Sequence, residues 1–258
     1  MLTTSYVPGA PGWIDLGSPD TGAAADFYGS LFGWELESAG PQAGGYGMFR
    51  LGGRTVAALG PLTEDGAASA WTVYFHTPDA DATTRTVEQA GGAVRFGPFD
   101  VFTAGRMAGL TDPDDARFAV WQPGDIRGLG LVTAPGSLCW TELYTPDPAL
   151  ARRFYHSVFG WEATDTPFAG ATYTVLSTAG RGREGSFGGM VPLGRAPGAT
   201  AQWLPYFEVE DCDRVTADAR SLGGRVTMPT VDAEDVGRFA HLADPFGAAF
   251  AVITSAGT

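Results

Sequence analysis

Lysine is absent from this 258-residue chain, and all sixteen basic residues are arginine. Without lysine there is no Schiff-base nucleophile, no internal aldimine for pyridoxal phosphate, and no GxxxxGK[ST] phosphate loop. Cysteine is nearly absent too. Cys139 and Cys212 are too few for a disulfide framework or a cysteine-based zinc site, and both read as small buried residues. No apolar run approaches the roughly 18 residues needed to span a bilayer, and Met1 to Pro11 lacks the cationic and apolar stretches of a secretory signal. The expectation is a cytoplasmic protein. Cations are scarce overall, 16 against 29 acids for a formal charge of −13. Partners bound through phosphates, nucleic acid and anionic membrane alike, are therefore not expected.

What is present describes a globular protein. The chain is 44% hydrophobic and only 17% charged, which excludes disorder. Its 37 glycines and 18 prolines imply many turns and argue against long helical bundles.

The chain also repeats itself. The segment Trp13-Ile-Asp-Leu-Gly-Ser-Pro19, through Phe27-Tyr28 to Phe32-Gly33-Trp34, recurs as Trp140-Thr-Glu-Leu-Tyr-Thr-Pro146, through Phe154-Tyr155 to Phe159-Gly160-Trp161. The offset is 127, and it still pairs Tyr46 with Tyr173. Beyond the glycine-rich stretch Gly180 to Gly185 the offset becomes 132, pairing Trp71 with Trp203, Phe75 with Phe207, Asp81 with Asp213, Arg106 with Arg238 and Asp112-Pro113 with Asp244-Pro245. Fixed-offset similarity of this kind means duplicated domains. The expected organisation is a first domain over 1–123, a linker over 124–136 and a second domain over 137–258.

Periodicity gives the elements of each copy. Trp13 to Gly17 alternates as a strand does, and Asp20 to Phe32 has apolar residues at helical spacing behind an Asp/Thr cap. Strands follow at Tyr46 to Leu51 and Thr55 to Leu59. The pattern then restarts with a strand at Trp71 to Thr77, a helix from Asp79 to Ala90 ended by Gly91-Gly92, and strands near Ala93, Gly105 to Leu110 and Arg117 to Trp121. Each copy is thus two βαβββ modules. The expected class is α+β, with two tandem domains whose curved mixed sheets surround a cavity. Gly180 to Gly185 neither leads a strand into a helix nor carries a lysine, and it reads as an enlarged hairpin rather than a phosphate cradle.

These features together, Phe-Tyr on the first helix, Phe-Gly-Trp after it, Asp-Pro before the last strand and the doubled modules, resemble the vicinal oxygen chelate superfamily of glyoxalases, bleomycin-binding proteins and extradiol dioxygenases. The Trp-x-Asp/Glu opening is most similar to its tandem-domain actinobacterial glyoxalase-like members. The resemblance covers nearly the whole chain twice. It implies a divalent-metal site on three strands, and the matching positions are Trp13, Thr72 and Ala119 in one copy and Trp140, Leu204 and Ala251 in the other. Indole and alkyl groups offer no metal-binding lone pair, so no metal is expected at the usual position, and no other cofactor is implied.

Residues two apart on a strand share a face, so the same positions mark what points inward. The opening strands offer Trp13 and Asp15, then Trp140, Glu142 and Tyr144. The second-module strands offer Thr72, Tyr74 and His76 against Leu204, Tyr206 and Glu208. Gly109 matches His241, and the last strand of the first copy adds Trp121. These thirteen residues, Gly109 aside, are the expected ligand-binding set. Trp13 and Trp140 read equally as pocket floor or plain core. If the domains exchange strands, one pocket holds Asp15, Tyr206, Glu208 and His241 and the other Glu142, Tyr74, His76 and Trp121. If they do not, Asp15 faces His76, and Glu142 faces Glu208 and His241. An acid repeated on an inward strand face is costly unless paired or functional. Arg106 and Arg238 are the structural partners the repeat offers for Asp15 and Glu142.

Three functions fit. The first is metal-independent binding of an apolar or aromatic small molecule, as in sequestration of an antibiotic or secondary metabolite, in cavities of this fold. The second is a cofactor-free isomerase, cyclase or lyase using Asp15, Glu142, His76 and His241 as acid and base. The third is a metal enzyme with displaced ligands Asp15, Glu208 and His241. In each the partner is a small molecule, and the chain is expected to be a monomer with its domains paired within it.

Overall fold

The computed structural model describes residues 2–64, 66–168, 171–193 and 200–256. The first repeat runs β1 (Pro11–Ser18), α1 (Thr21–Phe32), β2 (Glu35–Ser38), β3 (Gly47–Leu51), β4 (Arg54–Pro61), β5 (Ala70–His76), α2 (Ala80–Gln89), β6 (Ala93–Val101), β7 (Gly105–Thr111) and β8 (Arg117–Pro123). The second runs β9 (Leu138–Thr145), α3 (Pro148–Phe159), β10 (Glu162–Phe168), β11 (Ala171–Ser177), a 3₁₀ turn (Gly182–Gly185), β12 (Ser186–Pro192), β13 (Gln202–Glu208), α4 (Cys212–Ser221), β14 (Arg225–Ala233), β15 (Gly237–Ala243) and β16 (Ala249–Ser255). The strands form two eight-stranded mixed sheets, in the orders β2-β3-β4-β1-β5-β8-β7-β6 and β10-β11-β12-β9-β13-β16-β15-β14. Among the described residues no helix is long and apolar enough to cross a membrane.

Each module is a strand, a helix, and a three-stranded meander whose last strand returns parallel to the first. Thus β4 runs parallel to β1, β8 to β5, β12 to β9 and β16 to β13, while the meander pairs are antiparallel. Local chemistry fixes the helices. Asp20, Asp79, Asp147 and Asp211 each accept a backbone N–H from three residues on, at 2.8–2.9 Å, at the N-terminus of α1, α2, α3 and α4. Helices α1 and α3 end at Gly33 and Gly160, whose φ of 73° and 69° is left-handed and favours glycine. The strand β2 is exposed throughout, which is why no apolar alternation announced it in the sequence.

The chain packs as two compact units, one made of Met1–Trp13, Thr72–Gly128 and Trp140–Leu204, the other of Ile14–Trp71, Leu129–Cys139 and Pro205–Thr258. Each has its own aromatic core. In the first, Tyr155 stacks on Trp161 at 4.7 Å, and Phe75 lies edge-on to Trp161 and Trp203. In the second, Tyr28 stacks on Trp34 at 5.8 Å, and Trp71 meets Tyr28 and Phe207 edge-on. The Phe-Gly-Trp tryptophans also hold backbone: Trp161 donates its indole N–H to Gly9 O at 2.9 Å, and Trp34 donates to Gly136 O at 2.8 Å.

The Phe-Tyr and Asp-Pro motifs meet within each unit. In the first, Trp203 donates to Tyr155 Oη (2.9 Å), which donates to Asp112 Oδ2 (3.1 Å). Asp112 Oδ1 accepts from the backbone N–H groups of Asp114 and Ala116, both at 2.9 Å. In the second unit Trp71, Tyr28 and Asp244 repeat the chain, with Asp244 Oδ1 holding the N–H groups of Phe246 and Ala248. Both carboxylates are buried. Burial pushes Asp112 up to about 6 and raises Asp244, and it lifts both tyrosines well above the usual phenol range.

Candidate functional site

In the first unit the opening strand β9 carries Trp140, Glu142 and Tyr144 on one face, and β11 brings Tyr173 to them. Trp140 donates its indole N–H to Tyr173 Oη at 2.8 Å, and Tyr173 donates to Glu142 Oε1 at 2.8 Å. Tyr144 donates to Glu142 Oε2 at 2.9 Å. Glu142 is buried, so its carboxylate is solvated by two phenols rather than by water. Burial beside that carboxylate raises the Tyr173 phenol well above its ordinary range. The ring of Tyr173 lies over β12, where Gly189 makes room: a Cβ there would stand 1.9 Å from Tyr173 Oη.

The second unit holds the matching pair in the first repeat. Tyr46 donates to Asp15 Oδ2 at 3.1 Å, and a Cβ on Gly60 would come within 2.8 Å of its ring. In both repeats an acid on the opening strand thus takes a phenol whose ring lies against a glycine. Tyr46 and Tyr173 were not singled out as site residues from sequence. The signal was there, since tyrosines recur at the same offset as the acids.

Also in the second unit, Tyr206 Oη and His241 Nε2 stand 2.8 Å apart, with either able to donate according to the imidazole tautomer. The pair forms because β13 and β15 both neighbour β16, where Ala251 stands opposite Tyr206 on one side and His241 on the other. Burial drives the His241 imidazole down to about 4, so it is neutral at pH 7. Glu208 turns to the end of β16, accepting from Ser255 N (3.0 Å) and Ser255 Oγ (2.6 Å).

The remaining candidates lie in the first unit. Tyr74 is buried opposite Ala119, and His76 lies opposite Trp121. Trp121 covers Gly105 and donates its indole N–H to Ile126 O at 2.9 Å, which makes it a pin for the following loop. His76 is half-buried, its Nδ1 has no hydrogen-bond partner, and burial lowers its pKa. It lines a cavity of about 270 Å³ with Pro8, Gly9, Asp79 and Phe159. Trp13 and Leu204 are buried, and Thr72 is half-buried.

One expectation is corrected. Arg106 does not go to Asp15, nor Arg238 to Glu142. Arg106 grips Asp81 through Nε (2.7 Å) and Nη2 (3.1 Å) and reaches Asp100 at 2.9 Å. Arg238 likewise holds Asp213 at 2.8 and 2.9 Å and Asp232 at 2.7 Å. The planar guanidinium fork matches a carboxylate at the start of the neighbouring helix, a partner only the packed sheet and helix bring near.

The donor set for a metal can be tested on the same geometry. Trp13, Ala119, Trp140, Leu204 and Ala251 bring indoles and alkyl groups, and Thr72 a lone hydroxyl. The displaced set fares no better, since Glu208 is engaged by Ser255, His241 by Tyr206 and Asp15 by Tyr46. Among the described residues no group of three His, Cys, Asp or Glu side chains is placed to hold an ion. The residues present do not fit the divalent metal of a glyoxalase or dioxygenase.

Comparison with known proteins gives a family. The model of the Glyoxalase/Bleomycin resistance protein/Dioxygenase superfamily matches residues 10–120 and again 137–252. The chain is 42% identical to the anthracycline biosynthesis protein DauV of Streptomyces sp. (strain C5), covering 97% of this chain and 94% of that one. It is 39% identical to the putative glyoxylase CFP32 of Mycobacterium tuberculosis, covering 98% and 97%. Among solved structures it shares the fold of the Mn(II)-bound glyoxalase from Novosphingobium aromaticivorans (TM-score 0.63, 16% identity, 96% of this chain and 83% of that one). It shares it equally with the 2,3-dioxygenase LapB from Pseudomonas sp. KL28 (TM-score 0.64, 13% identity, 97% and 94%).

Proposed function

The chain belongs to the Glyoxalase/Bleomycin resistance protein/Dioxygenase superfamily, and within it we propose that this protein binds a hydroxylated polycyclic aromatic molecule of secondary metabolism without a metal. The observation that carries the reading is the Glu142 cluster. A buried carboxylate with a phenol on each oxygen, backed by the Trp140 indole, is a hydrogen-bonding floor set among aromatic rings. It suits a flat ligand with a few hydroxyl or carbonyl groups. Kinship with proteins named for anthracycline biosynthesis supports that ligand class.

Binding is favoured over acid/base catalysis by the state of the same groups. Both oxygens of Glu142 already accept phenol protons, so this carboxylate orients hydroxyls. An imidazole driven down to about 4 carries no imidazolium proton to give as an acid at neutral pH and is a weak base, which makes His241 a hydrogen-bond partner. The protein acts as a cytoplasmic monomer, its sequence domains at 1–123 and 137–258 joined by a linker at 124–136. The test is titration of the purified chain with 1,8-dihydroxyanthraquinone, with and without EDTA, read by tryptophan quenching. Saturable quenching indifferent to the chelator is expected. Absence of saturation, or binding that requires an added divalent metal, refutes the reading.

A further inference from the structure

We propose that the groove between α3 and the strands β10 to β12 is a separate binding site for an organic anion, a carboxylate or phosphate head group carried on a small apolar body. The groove is distinct from the Glu142 cluster. Thr172 and Thr174 alternate on β11 with Tyr173, so they face away from the side on which Tyr173 meets Glu142.

The cavity in this groove has a volume of about 520 Å³. Pro148 and Ala149 at the start of α3 and Pro192 at the end of β12 give it apolar walls, and its polar groups come from Arg152, Arg153, Asp165 and the two threonines. Arg152 is braced. Its Nη2 donates to Asp165 Oδ1 and to Thr174 Oγ1 (3.5 Å), and Thr174 Oγ1 donates to the same carboxylate oxygen at 2.8 Å. Thr174 is 5% exposed, so the brace is anchored below the surface. The Thr174 hydroxyl, followed by the guanidinium, holds Asp165 below the usual carboxylate range, which keeps the brace charged. Nε and Nη1 of Arg152 are left without a partner among the described residues, and the exposed Arg153 guanidinium has none at all. Two guanidiniums against one carboxylate make the cavity locally cationic, in a chain of formal charge −13 that sets two arginines side by side nowhere else.

The first repeat has the same strand order and none of this chemistry. At the offset of 127, Arg152 and Arg153 match Ala25 and Asp26, Asp165 matches Ser38, and Thr172 and Thr174 match Gly45 and Gly47. The register agrees, since Ser38 pairs with Gly47 as Asp165 pairs with Thr174. A Cβ on Gly47 would stand 2.9 Å from Leu36 Cδ1, so in the first repeat the leucine leans over the position that Thr174 holds in the second. The match of Leu36 is Ala163, which is too short to cover it. A guanidinium presents N–H groups in a planar fork that fits two oxygens of a carboxylate or phosphate. With one fork braced, a second free beside it and proline and alanine around them, the cavity suits a single head group on an apolar body. The net charge opposes an extended polyanion, and it does not oppose one head group met by two local cations.

Calorimetry on the full chain at low, fixed ionic strength, with cyclohexanecarboxylate, cyclohexyl phosphate and the neutral cyclohexylmethanol, tests this. At least one anion is expected to bind saturably, one molecule per chain and at least tenfold more tightly than the alcohol, and the tighter anion identifies the head group. Arg153→Gln removes the unpartnered charge from an exposed helix position and should weaken that binding about tenfold, or ~1.4 kcal/mol. Ala163→Leu puts back the cover of the first repeat and should abolish binding in a chain that circular dichroism shows to be folded. No saturable binding of either anion overturns the proposal, as does affinity no better than that of the alcohol, or wild-type affinity in Arg153→Gln or in folded Ala163→Leu. Each of these results leaves the Glu142 reading standing, because that reading is tested by the anthraquinone titration.

Discussion

Replacing Asp112 by asparagine should make the protein's stability less sensitive to pH, with a sign opposite to that of most carboxylates. Asp112 is 2% exposed and is pushed up to about 6 from 3.8, chiefly by burial, so the folded state holds its proton more tightly than the unfolded chain does. Below about pH 4 the group is protonated in both states and costs nothing. As pH rises toward 6 the unfolded chain loses the proton first, and above 6 the folded protein carries a buried anion. The rise from 3.8 to about 6 corresponds to ~3 kcal/mol, lost between pH 4 and 6. In Asp112→Asn the amide carbonyl oxygen would keep the two backbone N–H bonds, and Tyr155 would meet an amide in place of the protonated acid. The Tyr155 hydroxyl then lacks its acceptor, a fixed cost of about 1–3 kcal/mol that does not vary with pH. The difference in unfolding free energy, variant minus wild type, should therefore rise by about 3 kcal/mol from pH 4 to pH 7 whatever its starting value. Urea titrations followed by the fluorescence of the seven tryptophans measure it directly. A difference that is flat over this range, or that falls, would show that burial is not what governs Asp112.

Other outcomes follow from the sites described. Tyr173→Phe removes a hydroxyl that accepts from Trp140 and donates to Glu142, and should destabilise the fold by about 1–3 kcal/mol in urea while weakening 1,8-dihydroxyanthraquinone binding; unchanged stability and affinity would contradict the network. Gly189→Ala places a methyl against Tyr173 Oη and should displace the ring, so it should mimic Tyr173→Phe in the quenching titration, and a wild-type curve would count against the packing. Elemental analysis of the purified chain should find no stoichiometric zinc, iron, nickel or manganese, and EDTA should leave Tm unchanged, because Trp13, Thr72, Ala119, Trp140, Leu204 and Ala251 supply no ligand set. A chelator-induced fall in Tm would refute it.

Much of this protein is legible in one dimension because its signals are local or repeated. The caps at Asp20 and Asp147, the glycines after α1 and α3 and the alternation in β1 and β9 depend on residues a few positions apart, and the chain states each twice. The fold class follows from that repetition, and the motifs it repeats carry the resemblance to the family. The strand β2 escaped because its exposed residues leave no periodicity to read. What the sequence left open was partnership between residues far apart in the chain. Arg106 matched Asp15 only as a plausible pair of charges, and the packing of α2 on the sheet gave it Asp81 instead. Asp112 and Tyr155, 43 residues apart, look like separate motifs until burial joins them. Gly109 is legible in the sequence only as the counterpart of His241, and strand register lays the ring of Phe96 where its side chain is missing. Side-chain type and spacing determine which elements form and which faces they bury; which polar atoms meet on those faces is decided when register and packing bring them within about 3 Å, the distance at which a hydrogen bond is made.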